Sequence, residues 1–599
     1  MNVKINLLLL VVIAVAFSIS ALLLPKSMLG FLISIAYLVF ILVVGCACLQ
    51  IFSKKRNLND LQLVLAPGIG IALSAFIFII ARLLFLNVLP EFTLMTSVAV
   101  FVLSAVVIIR QRSNFNWRSL QDNQYLSVFL LMAVSFLAIH LYVNLPYQPF
   151  PQPDGAYVYK NNNLHVRIQD LTGDLPADNY LPFVVSQFMT QGLSFSENRP
   201  LMPGQEVTNR TALMSLSSSQ FLSFLNPEQV DADGKTGTFQ YLSVDWSDSE
   251  QFGFDNRGFY IFFALAIVMN SIFILPVFLI AKKLFHSNVA FITAAGLVLL
   301  PFVFNQIIFT WPKFMMGYFL INALALWFIG KKRNPFIIGL MLSLAYHSHP
   351  SSLIYILMIG LYFVVKKLLE RQSFLSMVSY FMKMGATLLV VLGPWFIWSA
   401  LILKIPSDLI TQNLLSDSYT LGHLLNVRLE NVANLLFIWQ FEASNLTNRI
   451  YNESILSVPG SILLFAIPAY YYTIKYIRKY TLEILILGLA PILLLSLVWG
   501  RTGFPMSILF SQPTIPILYL LSVGIFLKNK LFGGLLLAVQ FVIFEFVLWF
   551  SMYNLRIQTD RNLFAMAIIV GLHGIIFLLI LFKLQTTSRR ELGDYKIAL

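Results

Sequence analysis

Residues 125–153 read YLSVFLLMAVSFLAIHLYVNLPYQPFPQP, and the change of character at Asn144 decides the fold. The first 20 residues carry no Asp, Glu, Lys or Arg. A run of about 20 such residues crosses the hydrocarbon layer as a helix, because in lipid the backbone N–H and C=O groups find partners only within the segment. Pro146, Pro149, Pro151 and Pro153 then hold the chain in a stiff, extended exit. Beyond this exit lies the one long polar segment of the chain. Residues 145–257 hold 13 of the 27 acidic residues but only six of the 40 Lys and Arg, a charge of −7, while the whole chain is +13. Everything outside the segment therefore sums to +20.

Moving outward, the pattern of residues 125–144 recurs. Upstream, apolar runs cover 5–24, 28–52, 61–86 and 89–109. Downstream they cover 258–281, 288–308, 315–330, 335–348, 351–366, 379–402, 458–477, 482–499, 506–527, 531–553 and 562–583. The expected fold class is an all-α polytopic membrane protein with about 16 transmembrane helices and one mixed α/β extracytoplasmic loop domain. Composition agrees. Apolar residues make up 58% of the chain and charged residues 11%, against about 25% charged in soluble domains. So few charges cannot cover a water-facing surface.

The first segment has Lys4 near its start, like a secretion signal. However, Pro25-Lys26 stands where small residues would mark cleavage, and another span begins at once, so it reads as a helix. Cys46 and Cys48, the only cysteines, lie in an apolar run and leave the outer loop without a disulfide.

The basic residues set the orientation. Lys54-Lys55-Arg56, Arg110/Arg112, Lys282-Lys283, Lys331-Lys332-Arg333, Lys366-Lys367, Lys475/Arg478/Lys479, Lys528/Lys530 and Arg589-Arg590 fall at every second connection. That placement marks cytoplasmic anchors and argues against a nucleic-acid partner. Both termini then face the cytoplasm. Residues 145–257, 305–314, His347–Ser352, 403–457, 499–505 and 554–561 lie outside. The expected division is N-terminal spans over 1–144, the acidic loop domain 145–257, central spans 258–402, a second outer segment 403–457, and C-terminal spans with a short tail over 458–599.

Inside the loop, Tyr157–Tyr159 and Leu164–Ile168 alternate like a β-hairpin about Asn161–Asn163. From Asp178 to Gly192 apolar residues recur at three- and four-residue spacing, and Gly192 ends the run. A second helix is expected over Thr211–Leu225, capped by Asn209 or Thr208.

Several constellations carry chemistry. Asp178 starts the first loop helix. It is either an ordinary N-cap or a carboxylate acting as general base or metal holder at the lipid–water boundary. Asp154, in Pro153-Asp154-Gly155, is the rival acid and also fits a simple turn. Lys313, in Phe309-Thr310-Trp311-Pro312-Lys313, lies on the outside against the basic-inside trend, at expected headgroup depth. There it suits a lipid phosphate as a point charge. Arg501, in Trp499-Gly500-Arg501, is a second phosphate candidate. His347-Ser348-His349-Pro350 tops a tight outer connection, where two imidazoles can hold a pyrophosphate oxygen or a metal, although two ligands do not make a zinc site. Glu545, Gln540, Asn270, Asn322, Arg82 and His140 lie within spans, where polar groups are costly and face protein or water.

Asp178-Asn-Tyr-Leu-Pro182, with Gly192 one helix later, resembles the first outer-loop motif of lipid-carrier-dependent glycosyltransferases of the GT-C class. Asn198-Arg-Pro-Leu201, Arg210 through Leu216, Trp311-Pro-Lys313 and Pro394-Trp395 extend the resemblance over roughly residues 125–400. The chain departs from the family pattern in two ways: five spans precede the acidic motif, and Asp178 is followed by Asn179 rather than a second acid. The resemblance implies transfer of a sugar from a polyprenyl-phosphate carrier to an acceptor hydroxyl of a glycan or lipid, on the outer face, in cell-envelope glycan or glycolipid synthesis. Asp178 or Asp154 would be the base. Lys313, Arg501 and His347 would bind the donor phosphate, and His349 is the candidate metal ligand. The cofactor stays open, a divalent cation being one option. The expected location is the cytoplasmic (inner) membrane of a bacterium. The alternatives are a lipid-linked sugar flippase or transporter, and a surface-polysaccharide ligase or polymerase.

Overall fold

The computed structural model describes residues 2–53, 58–111, 123–143, 181–192, 195, 207–209, 211–226, 256–308, 311–330, 333–404, parts of 420–429, 486–487, 490–498, 513–527, 529–555 and 560–587. Every main element among them is a helix. In chain order these are α1 (Asn2–Leu23), α2 (Pro25–Ser53), α3 (Asp60–Leu84), α4 (Leu89–Gln111), α5 (Gln124–Val143), α6 (Leu181–Gln191), α7 (Leu213–Leu225), α8 (Asn256–Ser271) and α9 (Ile274–Leu284). They continue with α10 (Ser287–Val298), α11 (Pro301–Ile308), α12 (Lys313–Ile329), α13 (Pro335–Ser348), α14 (Ser352–Leu369) and α15 (Phe374–Ile397), the last running into π turns over Trp398–Ile402. Then come α16 (Ala490–Val498), α17 (Thr514–Phe526), α18 (Lys530–Leu555) and α19 (Asp560–Thr586).

Among the described residues nine helices are long and apolar enough to cross a membrane, or ten if the pair α10–α11, bent by 65°, counts as one span. Three further apolar helices, Lys313–Ile329, Pro335–Ser348 and Thr514–Gly524, are shorter than a full crossing. The expected span 458–477, the β-hairpin about Asn161–Asn163 and nearly all of 403–457 lie outside the described residues.

The spans pack through small residues, since lipid gives no hydrophobic drive to bring helices together. Ala66, Gly70 and Ser74 recur every fourth residue along α3 and face α2 and α7. A Cβ on Gly45 would run into the Ala66 carbonyl, and one on Gly70 into the Ile41 carbonyl. The two backbones therefore touch, and no larger residue fits without parting them. Pro67 lies in the same stretch, where it removes one ladder hydrogen bond. The Tyr318 hydroxyl of α12 meets the backbone beside it. It donates to the Val64 carbonyl at 2.7 Å and accepts from the Gly68 N–H at 2.9 Å, so a side chain replaces one rung of the ladder.

Several helix ends that carry basic residues touch one another among the described residues. Asn59, His286, Asn334 and Ser373 cap α3, α10, α13 and α15 just after basic clusters or connections. Lys282 pairs with Asp60 at 2.7 Å, Arg333 with Glu370 at 2.8 Å, and Lys583 reaches Asn2 and Asn288, each at 3.2 Å. The start of α1 and the end of α19 thus sit together.

The two helices expected in the outer loop are present as α6 and α7. Gly192 ends α6 with φ +76°, a backbone angle that glycine adopts without strain. Asn209 and Thr208 do not cap α7. Its N-cap is Ala212, which makes no side-chain cap bond, because the chain is held here by Thr211 bonding the Tyr346 carbonyl at 2.8 Å. These helices pack into the bundle. α7 contacts α3, α4 and α8, and its polar face is buried there. Ser217 bonds the Tyr37 hydroxyl at 2.7 Å, Gln220 bonds Ser97 at 2.8 Å, and Ser223 bonds Thr93 at 2.6 Å. The polar run Ser217-Ser-Ser-Gln220 is the surface that joins α7 to the spans.

Candidate functional site

The site is built where α12 begins. Pro312 stops the preceding turn, and Lys313 is the first residue of α12. Asn270, at the end of α8, clamps this turn. Its amide donates to the Trp311 carbonyl at 3.1 Å, and its Oδ1 accepts from the Met315 N–H at 3.3 Å. Phe273, in the break between α8 and α9, stacks on Phe314 at 4.1 Å. The Lys313 ammonium lies 3.6 Å from the Trp311 ring centroid, a cation–π contact. Lys313 is 1% exposed.

Asn270 is near the middle of the 27-residue apolar stretch Gly258–Leu284, so the turn that carries Lys313 packs against the middle of that stretch. At about 1.5 Å rise per residue, the 17 residues of α12 and the 14 of α13 are shorter than a hydrocarbon layer of roughly 30 Å. A cation buried within such a bundle is costly and marks a candidate for binding charge.

His349 joins the site. Its Nδ1 accepts from the Ser351 N–H at 3.2 Å and lies 2.8 Å from the Ser351 hydroxyl. Ser351 Oγ in turn contacts Met316 Sδ at 3.4 Å. Met316 is one turn along α12 from Lys313, so His349 and Lys313 share one end of the bundle. Because Nδ1 is engaged with Ser351, only Nε2 could serve a metal. Among the described residues no group of three or more His, Cys, Asp or Glu could hold an ion.

His347 turns toward α15. Its Nε2 lies 2.8 Å from the Val391 carbonyl, next to the Pro394 kink, and its ring is edge-on to Trp395 with centroids 6.5 Å apart. A carbonyl only accepts, so Nε2 carries the proton. Asp178, Asp154 and Arg501 lie outside the described residues.

The polar residues within the spans have partners that the sequence did not reveal. Arg82 donates to the Met189 carbonyl at 2.8 Å, placing a cation at the negative C-terminal end of α6. Gln540 donates to the Gly296 and Leu299 carbonyls, at 2.8 and 3.1 Å, where α10 breaks before Pro301. Asn322 donates to the Tyr318 carbonyl at 3.0 Å. His140 meets Ser34 at 2.9 Å. Glu545 pairs with His573 at 2.9 Å, between α18 and α19. Gln540 and Asn270 serve backbone groups released by helix breaks, and Arg82 serves the terminus of α6. Proline positions mark several such breaks in the sequence, but the partner chosen for each depends on the tertiary fold. Compared with known protein families, curated proteins and solved structures, the chain matches none.

Proposed function

We propose that the protein is a membrane glycosyltransferase that moves a sugar from a polyprenyl-phosphate carrier to an acceptor hydroxyl of a glycan or lipid, in cell-envelope synthesis on the outer face of a bacterial cytoplasmic membrane. The observation that carries the proposal is Lys313, an ammonium buried at the start of α12 beside an indole ring. An ammonium out of water attracts an anionic group far more strongly than one at the surface. In the proposed reaction the acceptor oxygen attacks the anomeric carbon. The bond from that carbon to the phosphate oxygen breaks, and the polyprenyl phosphate leaves with the electron pair, its charge stabilised by Lys313 with Arg501. The hydroxyl proton passes to the Asp178 carboxylate, or to Asp154 as its rival. One displacement inverts the anomeric centre.

The test is turnover by the purified full chain in lipid nanodiscs with a panel of polyprenyl-phosphate sugars. Lys313→Met should lower turnover about 100-fold or more, on the scale of removing one oxyanion donor, and Lys313→Arg should retain part of it. Wild-type turnover in Lys313→Met overturns the proposal. Turnover retained in both Asp178→Asn and Asp154→Asn removes the assigned base.

A second proposal, a lipid-linked sugar flippase, draws on the discontinuous pairs α8–α9 and α10–α11 and on the buried Glu545–His573 pair. Broken helices and intramembrane ionisable pairs are common in transporters. Movement of a lipid-linked sugar across liposomes without transfer, abolished by Glu545→Gln, would favour it. A polysaccharide ligase or polymerase would use the same site and would show itself by a polymeric product.

A further inference from the structure

The π turns at the end of α15 bring a set of rings together beside His347. Pro394 has no N–H, so the ladder of α15 is interrupted there, and the chain then widens into the π turns Trp398–Ile402, closed by the Leu403 N–H on the Trp398 carbonyl at 2.8 Å. Trp395 and Trp398 come to face each other with centroids 5.2 Å apart and planes tilted by 42°. Phe195 meets Trp398 edge to face at 5.7 Å and stacks on Phe188 of α6 at 5.4 Å. Tyr346 meets Phe396 at 5.6 Å. Both Trp395 and Trp398 are half-buried, and Phe396 is 48% exposed.

His347 adds the polar element. With the proton on Nε2 committed to the Val391 carbonyl, Nδ1 of the neutral ring is a lone-pair acceptor. It makes no hydrogen bond among the described residues.

We infer that the rim of His347, Trp395 and Trp398 is a carbohydrate-binding site that takes the acceptor sugar. The acceptor role rests on the glycosyltransferase proposal above, whereas the carbohydrate site does not. Three properties select this ligand. The rings offer flat faces to an apolar C–H surface. The imidazole offers a fixed acceptor for one hydroxyl. None of the rim side chains carries a formal charge, so an anionic group gains nothing here, and an acceptor nitrogen repels a phosphate oxygen. A lipid tail would leave the imidazole unserved. Here Trp395 meets the His347 imidazole and Trp398, and Phe195 from another segment of the chain meets Trp398. His347 is thereby assigned to the acceptor and not to the donor phosphate.

The experiment is saturation-transfer NMR on the full chain in nanodiscs, with methyl glycosides of glucose, galactose, mannose and N-acetylglucosamine as probes. At least one glycoside should receive saturation at its ring C–H protons. Trp395→Leu and His347→Leu should each weaken that binding about tenfold, Trp395→Phe should keep part of it, and Trp549→Phe, on α18, should leave it unchanged. Thermal unfolding checks that each variant is folded. The inference is overturned if wild type shows no transfer of saturation to any probe, or if Trp395→Leu binds like wild type. Binding without glycosyl transfer from any polyprenyl-phosphate sugar supports the site and refutes the acceptor role. Glycosyl transfer with an unchanged acceptor KM in Trp395→Leu refutes the site and leaves the transferase standing.

Discussion

Replacing Asn270 by Leu tests whether α8 positions the cation. Leucine has nearly the same volume, so packing is kept while both hydrogen-bonding groups are lost. The Trp311 carbonyl loses its donor at 3.1 Å, and the Met315 N–H loses its acceptor at 3.3 Å. Asn270 is fully buried, so no water replaces them. The Trp311 carbonyl keeps the Lys313 N–H at 2.8 Å, so the main cost is the Met315 N–H, and a buried backbone group left without its partner costs about 1–3 kcal/mol. At 1.4 kcal/mol per factor of ten, this raises the unfolding equilibrium constant about 5- to 140-fold. The assay is unfolding in mixed detergent micelles, followed by tryptophan fluorescence and run beside turnover in nanodiscs. Turnover should fall together with stability, because the turn that carries Lys313 is released. Asn270→Asp keeps an acceptor for Met315 but not a donor for Trp311, and should destabilise as well. If Asn270→Leu unfolds within about 0.5 kcal/mol of wild type, the ordinary surface-mutation range, the clamp does not exist.

Three further substitutions probe the packing. Tyr318→Phe removes the hydroxyl that bridges Val64 and Gly68, and should cost about 1–3 kcal/mol in the same unfolding assay; an unchanged midpoint would mean that α3 closes its own ladder at Pro67. Gly70→Val puts a branched side chain against the Ile41 backbone and should cost about 1–3 kcal/mol or more, whereas Gly571→Val, whose Cβ meets open space, should be tolerated; equal effects would refute the close α2–α3 crossing. Glu545→Leu strips His573 of its partner and should destabilise the protein, while the double change Glu545→Leu and His573→Leu should recover most of the loss; a double variant no better than the single one would show that the pair is not an isolated unit.

Some of the fold was legible because it depends on local composition. The spans of α1 to α5, α8–α9, α14, α15 and α19 follow apolar runs that have no other way to satisfy their backbones in lipid. Gly192 was legible as the end of α6 because the stop needs a positive φ. Other features were not legible. Ser217 to Gln220 form the docking face of α7, since hydroxyls and amides meet partners on α2, α3 and α4. Lys313 was legible as an out-of-place cation, but its burial was not, because burial depends on which part of α8 the α12 turn touches.

By itself the sequence determined that this chain is rich in membrane-length apolar helices. That follows from the cost of unpaired backbone in hydrocarbon, which can be judged over some 20 residues at a time. Only the tertiary structure decided which polar atom serves each broken helix. Asn270 meets Trp311 and Met315 some 40 residues on, Gln540 meets Gly296, and Tyr318 meets Val64 and Gly68 about 250 residues away. A kink, break or exposed helix end announces an unpaired group in the sequence. Its partner is fixed only when distant helices pack, because hydrogen bonds require contact within about 3 Å, and separation along the chain does not set that distance.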